Sequence, residues 1–201
     1  MEMSNNPAFI IGNGESRRNF DLNDIKGVAP IYGCNALYRD FSPDWLVAVD
    51  EGVIDEINSS TFPKESTLFP RSKAEEYEPA DMHPGRNRYP RNNSGMYAMQ
   101  RAIEKDHTVL LCLGFDFLIN DSYLSCTNLF AGTKNYGAET HANFEDNAGR
   151  IRYLEWFARK NKDVVFIFVL EDLFPKVPIG AKNIFTIPYK TLKLNIHRDT
   201  Q

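Results

Sequence analysis

The chain has 201 residues, 42% hydrophobic and 25% charged, with a net charge of -4. That is apolar material for one globular core, and the acidic balance argues against a nucleic-acid binder working by bulk charge. No apolar run approaches the roughly 20 residues of a membrane span, and the N-terminus lacks a basic-then-apolar signal pattern.

The first apolar run, Ala8–Ile11, reads as a strand and breaks into Gly12-Asn13-Gly14-Glu15-Ser16-Arg17-Arg18. A strand ending in Gly-x-Gly-x-Ser is a way to present backbone N–H groups to a phosphate, with glycine allowing a sharp turn and close approach. Arg17 stands where the dinucleotide fingerprint has its third glycine, which turns the reading away from NAD or FAD and toward another nucleotide. The alternative is a plain strand-to-helix turn followed by a solvated arginine pair. Asn19–Ile25 reads as a short polar helix, Ala29–Tyr32 as a second strand ending at Gly33-Cys34-Asn35, and Trp45–Val49 as a third strand ending at Asp50. Val53–Asn58 reads as helical and Thr67–Phe69 as a short strand before a polar, proline-rich stretch from Pro70 to Arg91.

Ser94–Lys105 has a helical period, with Met96, Tyr97, Met99, Ala102 and Ile103 as its apolar positions. Val109–Leu113 is a buried strand followed by Gly114-Phe115-Asp116-Phe117. Leu118 to Asn143 is long and polar, which in a compact domain marks a functional lid or a disordered stretch. Phe144–Lys160 is an amphipathic helix, Val164–Val169 an apolar strand, and Ile184–Ile187 a last strand. This alternation predicts a Rossmann-like α/β fold: a mostly parallel sheet with helices on both faces, in one nucleotide-binding domain over 1–201 carrying an inserted lid at about 118–143. Cys34, Cys112 and Cys126 share no metal-ligand spacing. Cys34 and Cys112 adjoin strand positions and read as reduced core thiols, as in a cytoplasmic protein.

Ligands in such sheets lie beyond the carboxyl ends of the strands. Those ends carry Gly12–Ser16, Asn35, Asp50 and Asp116, with Asn93–Gly95 at the start of a helix, so several polar groups are expected in one crevice. Asp116 and Asp50 each read as a ligand contact or as a turn cap. A shared metal is the weaker reading, because hard cations need several oxygen ligands and no Asp-x-Asp motif is present. Arg86, Arg88 and Arg91 form a basic cluster that reads either as a contact for an anionic acceptor or second phosphate, or as a solvated loop. His107 reads as solvated, His197 lies in a polar tail, and His83 carries no stronger signal.

Four motifs occur in order: Gly12-Asn13-Gly14-Glu15-Ser16, Cys34-Asn35-Ala36-Leu37-Tyr38, Asn93-Ser94-Gly95-Met96-Tyr97 and Gly114-Phe115-Asp116-Phe117. The ordered set resembles the bacterial lipooligosaccharide sialyltransferases that use CMP-sialic acid, and more broadly the 6-hydroxymethylpterin diphosphokinase-like proteins. The first resemblance implies a metal-independent glycosyltransferase with a CMP-sugar donor and a glycan or other hydroxyl acceptor as its small-molecule partners, and with no cofactor. It implies that Gly12, Asn13, Gly14, Ser16 and Asn35 hold the CMP part of the donor, with Asn93, Ser94 and Gly95 at a helix N-terminus suited to an anion, and Asp116 beside them. It further implies that Tyr123 assists the departing phosphate and that His141 is the base, with Glu139 near to orient it. Arg17 and the Arg86, Arg88 and Arg91 cluster are further candidates for phosphate or acceptor contacts. The broader resemblance implies instead an ATP- and Mg²⁺-dependent transferase with Asp50 and Asp116 as candidate ligands. A third reading is a non-catalytic nucleotide-binding module. A homo-oligomer is compatible with all three.

Overall fold

The computed structural model describes residues 6–68, 92–118, 125–138, 141–171 and 179–198. In chain order the elements are β1 (Pro7–Ile11), β2 (Ile31–Cys34), β3 (Trp45–Val47), α1 (Glu51–Ser59), β4 (Thr67–Leu68), α2 (Ser94–Ile103), β5 (Val109–Leu113), β6 (Ser125–Thr127), β7 (His141–Asn143), α3 (Phe144–Lys160), β8 (Val165–Leu170), β9 (Ile184–Pro188) and α4 (Tyr189–Arg198). Among the described residues, seven strands form one sheet in the order β4-β3-β2-β1-β5-β8-β9, every neighbouring pair parallel. β6 and β7 pair antiparallel in a separate ribbon.

A parallel sheet must be covered on both faces, so its strands are apolar throughout rather than alternating. Ala8, Phe9, Ile10 and Ile11 of β1 are all buried. Alternate residues point to opposite faces. Ala8, Ile10, Tyr32, Val47, Leu110 and Cys112 pack with the apolar positions of α2 and α3. Phe9, Ile11, Ile31, Leu46, Leu113 and Val169 face the other way, against α1, α4 and the short turns around Phe20, Leu22 and Leu37. The Met96, Tyr97 and Met99 face of α2 is core, as its spacing predicts. Among the described residues, no helix is long and apolar enough to cross a membrane.

The chain departs from the sequence expectations in four places. The polar helix at Asn19–Ile25 is only a 3-10 turn at Leu22–Ile25, whose Asn23 N–H is capped by Asp21. The C-terminal stretch expected to be a polar tail is α4, and His197 lies in it. His107 is buried, not solvated: it packs edge-on against Tyr32, and burial lowers its basicity. The irregular segment expected over Leu118–Asn143 begins with Leu118 buried at the end of a 3-10 turn and contains the β6–β7 ribbon.

The strand order reverses direction between β1 and β5, and here the two halves of the sheet meet backbone to backbone. The Gly12 N–H donates to Leu113 O at 2.8 Å and the Gly14 N–H to Gly114 O at 3.0 Å. A Cβ on Gly12 would lie 2.5 Å from Gly114 O, one on Gly114 would lie 2.6 Å from Gly12 O, and one on Gly14 would fall inside the Asp116 carboxylate. This contact is the reason for glycine at Gly12 and Gly14. Gly12→Ala is therefore expected to destabilise the protein by about 3 kcal/mol, because the obstacle is backbone that cannot give way. Gly27→Ala, at a positive φ but with open space around the added carbon, is expected to cost only about 1 kcal/mol. Urea unfolding of the two variants checks the contrast; equal losses would contradict it.

Candidate functional site

The turn after β1 is tied down from below. The Ser16 N–H donates to Asp116 Oδ2 at 3.1 Å and the Ser16 hydroxyl to Asp116 Oδ1 at 2.5 Å. Burial raises the Asp116 carboxyl above its ordinary value, and the bonds from Ser16 work against that rise. The N–H groups of Gly12, Gly14 and Ser16, which a phosphate-cradling turn would offer to its ligand, are therefore bonded within the fold. Asp116 acts as the acceptor that closes this turn.

Arg17 is not a solvated partner of Arg18. It is only 7% exposed, and its Nε donates to Gly12 O at 2.6 Å while Nη2 donates to Asn13 Oδ1 at 3.3 Å. Arg18 instead pairs with Glu15 on the surface. The Arg17 bond fixes the orientation of the Asn13 amide, whose Nδ2 donates to Cys34 O at 3.0 Å. Asn13 thus links the ends of β1 and β2. Cys34 and Cys112 are buried free thiols, and burial pushes the Cys34 thiol up to about 12, so it is neutral beside Arg17.

Asn35 follows β2 at a φ of 46°, a left-handed conformation that asparagine tolerates better than most residues. It is buried, its Oδ1 accepts from the Val49 N–H at 3.3 Å, and its Nδ2 donates to Asp50 Oδ2 at 2.5 Å. Asp50 is exposed and occupies the N-cap position of α1. On the other side of the switch point, Asn93 caps α2 by accepting from the Met96 N–H at 3.0 Å. Ser94 is buried, and Gly95 packs so closely on Phe115 that a Cβ would lie 2.7 Å from its ring. The path Gly12–Gly114–Phe115–Gly95 brings the start of α2 to the same end of the sheet as Asn13.

Part of the expected lid forms a strap across these strand ends. Asn128 bridges to Gly14, and the Leu129 N–H donates to Asn13 O at 2.9 Å. The strap then reaches α1. Arg39 donates to both carboxylate oxygens of Glu56 at 2.7 Å, to Thr133 Oγ1 and to Lys134 O, and it lies 5.8 Å from the ring centres of Phe130 and Tyr136. Asn135 donates to Gly52 O and to Glu56 Oε2, both at 2.8 Å. The sequence reading missed this latch and Tyr136. The tyrosine's hydroxyl is buried without a well-formed hydrogen bond, close to Asn35 and Ala36. The missed signal was the excess of hydrogen-bonding side chains facing one another across distant segments, which no local spacing reveals. Tyr189 has a similarly orphaned hydroxyl near Ser16 and Gly114, at the start of the unanticipated α4.

His141 begins β7 opposite Thr127 of β6. Tyr123, Glu139, Arg86, Arg88 and Arg91 lie outside the described residues, as do His83 and most of the proline-rich stretch. Asp50 and Asp116 are engaged by different partners, Asn35 and Ser16. Among the described residues no group of three or more His, Cys, Asp or Glu side chains is placed to hold a metal ion. Comparison with protein-family models, with curated proteins and with solved structures finds no match.

The latch has a pH signature. Hydrogen bonds from Arg39 hold the Glu56 carboxyl down at about 2. A folded-state value below the unfolded one stabilises the protein at higher pH. This contribution is complete above the ordinary value of 4.5 and is lost as pH falls toward 2. Arg39→Met is expected to flatten that part of the stability profile and to speed hydrogen exchange over 128–138, with β1 and β5 unchanged. Unfolding between pH 2 and 6, paired with exchange mass spectrometry, checks both. An unchanged acid limb would contradict the role given to the Arg39–Glu56 pair.

Proposed function

We propose that the chain is a sialyltransferase-like glycosyltransferase that takes a CMP-activated sugar at the β1/β5 switch point, without a metal, and passes the sugar to a hydroxyl acceptor. The observation that carries this reading is the gathering of Asn13, Asn35 and the Asn93-Ser94-Gly95 helix start at the carboxyl end of a parallel sheet, under a strap. That end of such a sheet is where the strand order leaves a crevice for a nucleotide. Because the Gly12, Gly14 and Ser16 N–H groups are bonded internally, recognition falls chiefly to the remaining Asn13 amide hydrogen, the Asn35–Asp50 pair and the first turn of α2. The dipole at a helix N-terminus favours the donor phosphate there. In this reading Tyr123 assists the departing phosphate. His141, where the chain returns from the strap into α3, is the base; the ordinary histidine value near ~6.5 suits proton abstraction from a hydroxyl. Arg86, Arg88 and Arg91 are candidates for the acceptor or a second phosphate.

The ATP- and Mg²⁺-dependent reading asks Asp50 and Asp116 to share a cation. Asp116 is bonded twice to Ser16 and Asp50 to Asn35, which makes it the weaker of the two. A thermal-shift panel of CMP, CDP, UDP, GDP, ADP and ATP with and without Mg²⁺ decides between them. CMP at ~100 times its dissociation constant is expected to stabilise by about 2.7 kcal/mol without metal. Binding of ATP–Mg²⁺ alone would reverse the choice. With a CMP-sugar and an acceptor, His141→Ala is expected to keep nucleotide binding and to lower transfer by about 10²–10⁴-fold. Wild-type turnover in that variant would remove His141 from the chemistry. Clear CMP binding with no turnover in wild type would favour the non-catalytic module.

A further inference from the structure

The strap over 128–138 rests directly on the strand ends. At the end of β1 the contact is backbone to backbone, with Asn128 bridging to Gly14 and the Leu129 N–H donating to Asn13 O at 2.9 Å. At the end of β2, Tyr136 lies close to Asn35 and Ala36. In the first turn of α1, which follows β3, Asn135 donates to Gly52 O at 2.8 Å, and a Cβ on Gly52 would lie 2.7 Å from the Asn135 side chain. Contacts this short leave no room for a ligand between the strap and these residues. The strap is seated on Asn13 and Asn35, the side chains to which a nucleotide at this crevice would be assigned.

The closed arrangement is held by few groups and carries a cost. Phe130 is the buried residue of the strap, and residues 132–135 are exposed. What fastens these exposed residues is the polar latch: Arg39 on Glu56, Thr133 and Lys134 O, and Asn135 on Gly52 O and Glu56. A segment with few buried apolar contacts opens before the rest of a fold does. Closure also buries the Tyr136 hydroxyl without a well-formed partner, a penalty that opening to water removes. Asn135 holds a left-handed φ of 64°, a conformation that persists only where its surroundings enforce it. We infer that the strap is an autoinhibitory cover, shut over the ends of β1, β2 and β3, and that release of the Arg39–Glu56–Asn135 latch is the step that admits a ligand. The inference rests on the reading of this crevice as a nucleotide site. It has a definite sign. A ligand that needs the open state binds with an affinity reduced by the fraction open, so loosening the latch tightens binding. A lid that closes over its ligand gives the opposite result.

The test measures CMP and ATP binding by calorimetry and stopped flow on wild type, Arg39→Met, Asn135→Ala and Tyr136→Phe, with amide exchange at Leu129 followed by NMR without ligand. Arg39→Met is expected to speed Leu129 exchange and to bind CMP about tenfold faster and tighter, the equivalent of one good hydrogen bond. Asn135→Ala, at an exposed position, loosens the same latch without touching the core and is expected to shift both readouts the same way. Tyr136→Phe keeps the ring and removes the buried hydroxyl, so it is expected to slow Leu129 exchange and weaken binding. Weaker CMP binding in the loosened variants overturns the cover and leaves the nucleotide reading intact. Unchanged binding where Leu129 exchange has risen also overturns it. The expected order of affinities with ATP, and no binding of CMP, upholds the cover while refuting the cytidine reading. No nucleotide bound by any of the four proteins, with Leu129 exchange raised in the loosened ones, overturns both.

Discussion

The site depends on the contact between two glycines at the ends of β1 and β5. A parallel sheet whose order reverses at one point must let its two halves diverge there, and in this chain the loops meet again at once. Gly12 and Gly114 approach until neither can carry a side chain. Asp116 then locks the turn through Ser16, and Arg17 reaches back beneath it to Gly12 and Asn13. The turn at this end of the sheet is therefore tied down, with the Gly12, Gly14 and Ser16 N–H groups already bonded.

For the proposed nucleotide site, a turn whose N–H groups are already bonded shifts recognition toward side chains. In a phosphate-binding glycine turn the backbone itself is the ligand site. Here the backbone groups hold the sheet halves together, and the free valences belong to side chains held in place by others: Asn13 by Arg17, and Asp50 by Asn35. Preorganised groups lose little entropy on binding, which favours affinity without large contact area. The strap over 128–138 adds a roof, fastened to α1 through Arg39, Glu56 and Asn135 rather than by apolar packing alone.

Much of this was legible in the sequence. Apolar runs bounded by glycine and polar residues give β1, β5 and β8 almost to the residue, because strands buried on both faces leave a continuous hydrophobic signal. The helices α2 and α3 announce themselves by period. Asn19–Ile25 did not become a full helix, since its polar residues favour local capping bonds such as that of Asp21 over a helical ladder. α4 was missed because its sequence is polar; among its described side chains, Tyr189 and Leu192 pack into the core on the sheet's second face. The polar residues at the strand ends were visible as candidates, but their roles were not. That Asp116 closes a turn, that Arg17 is buried, and that Tyr136 stands over Asn35 depend on contacts between segments some twenty to a hundred residues apart.

The switch-point end of the sheet, read by side chains and the α2 helix start, is proposed to take a cytidine nucleotide. The most direct measurement is a titration of ¹⁵N-labelled protein with CMP, followed by amide and side-chain amide shifts. Saturable changes are expected at the Asn13 and Asn35 side chains and at the backbone of Ser94 and Gly95, with the Gly12 and Gly14 amides, already bonded across the sheet, moving less. Shifts that avoid these residues, or that appear chiefly at the opposite end of the strands near His107 and Trp45, would contradict it.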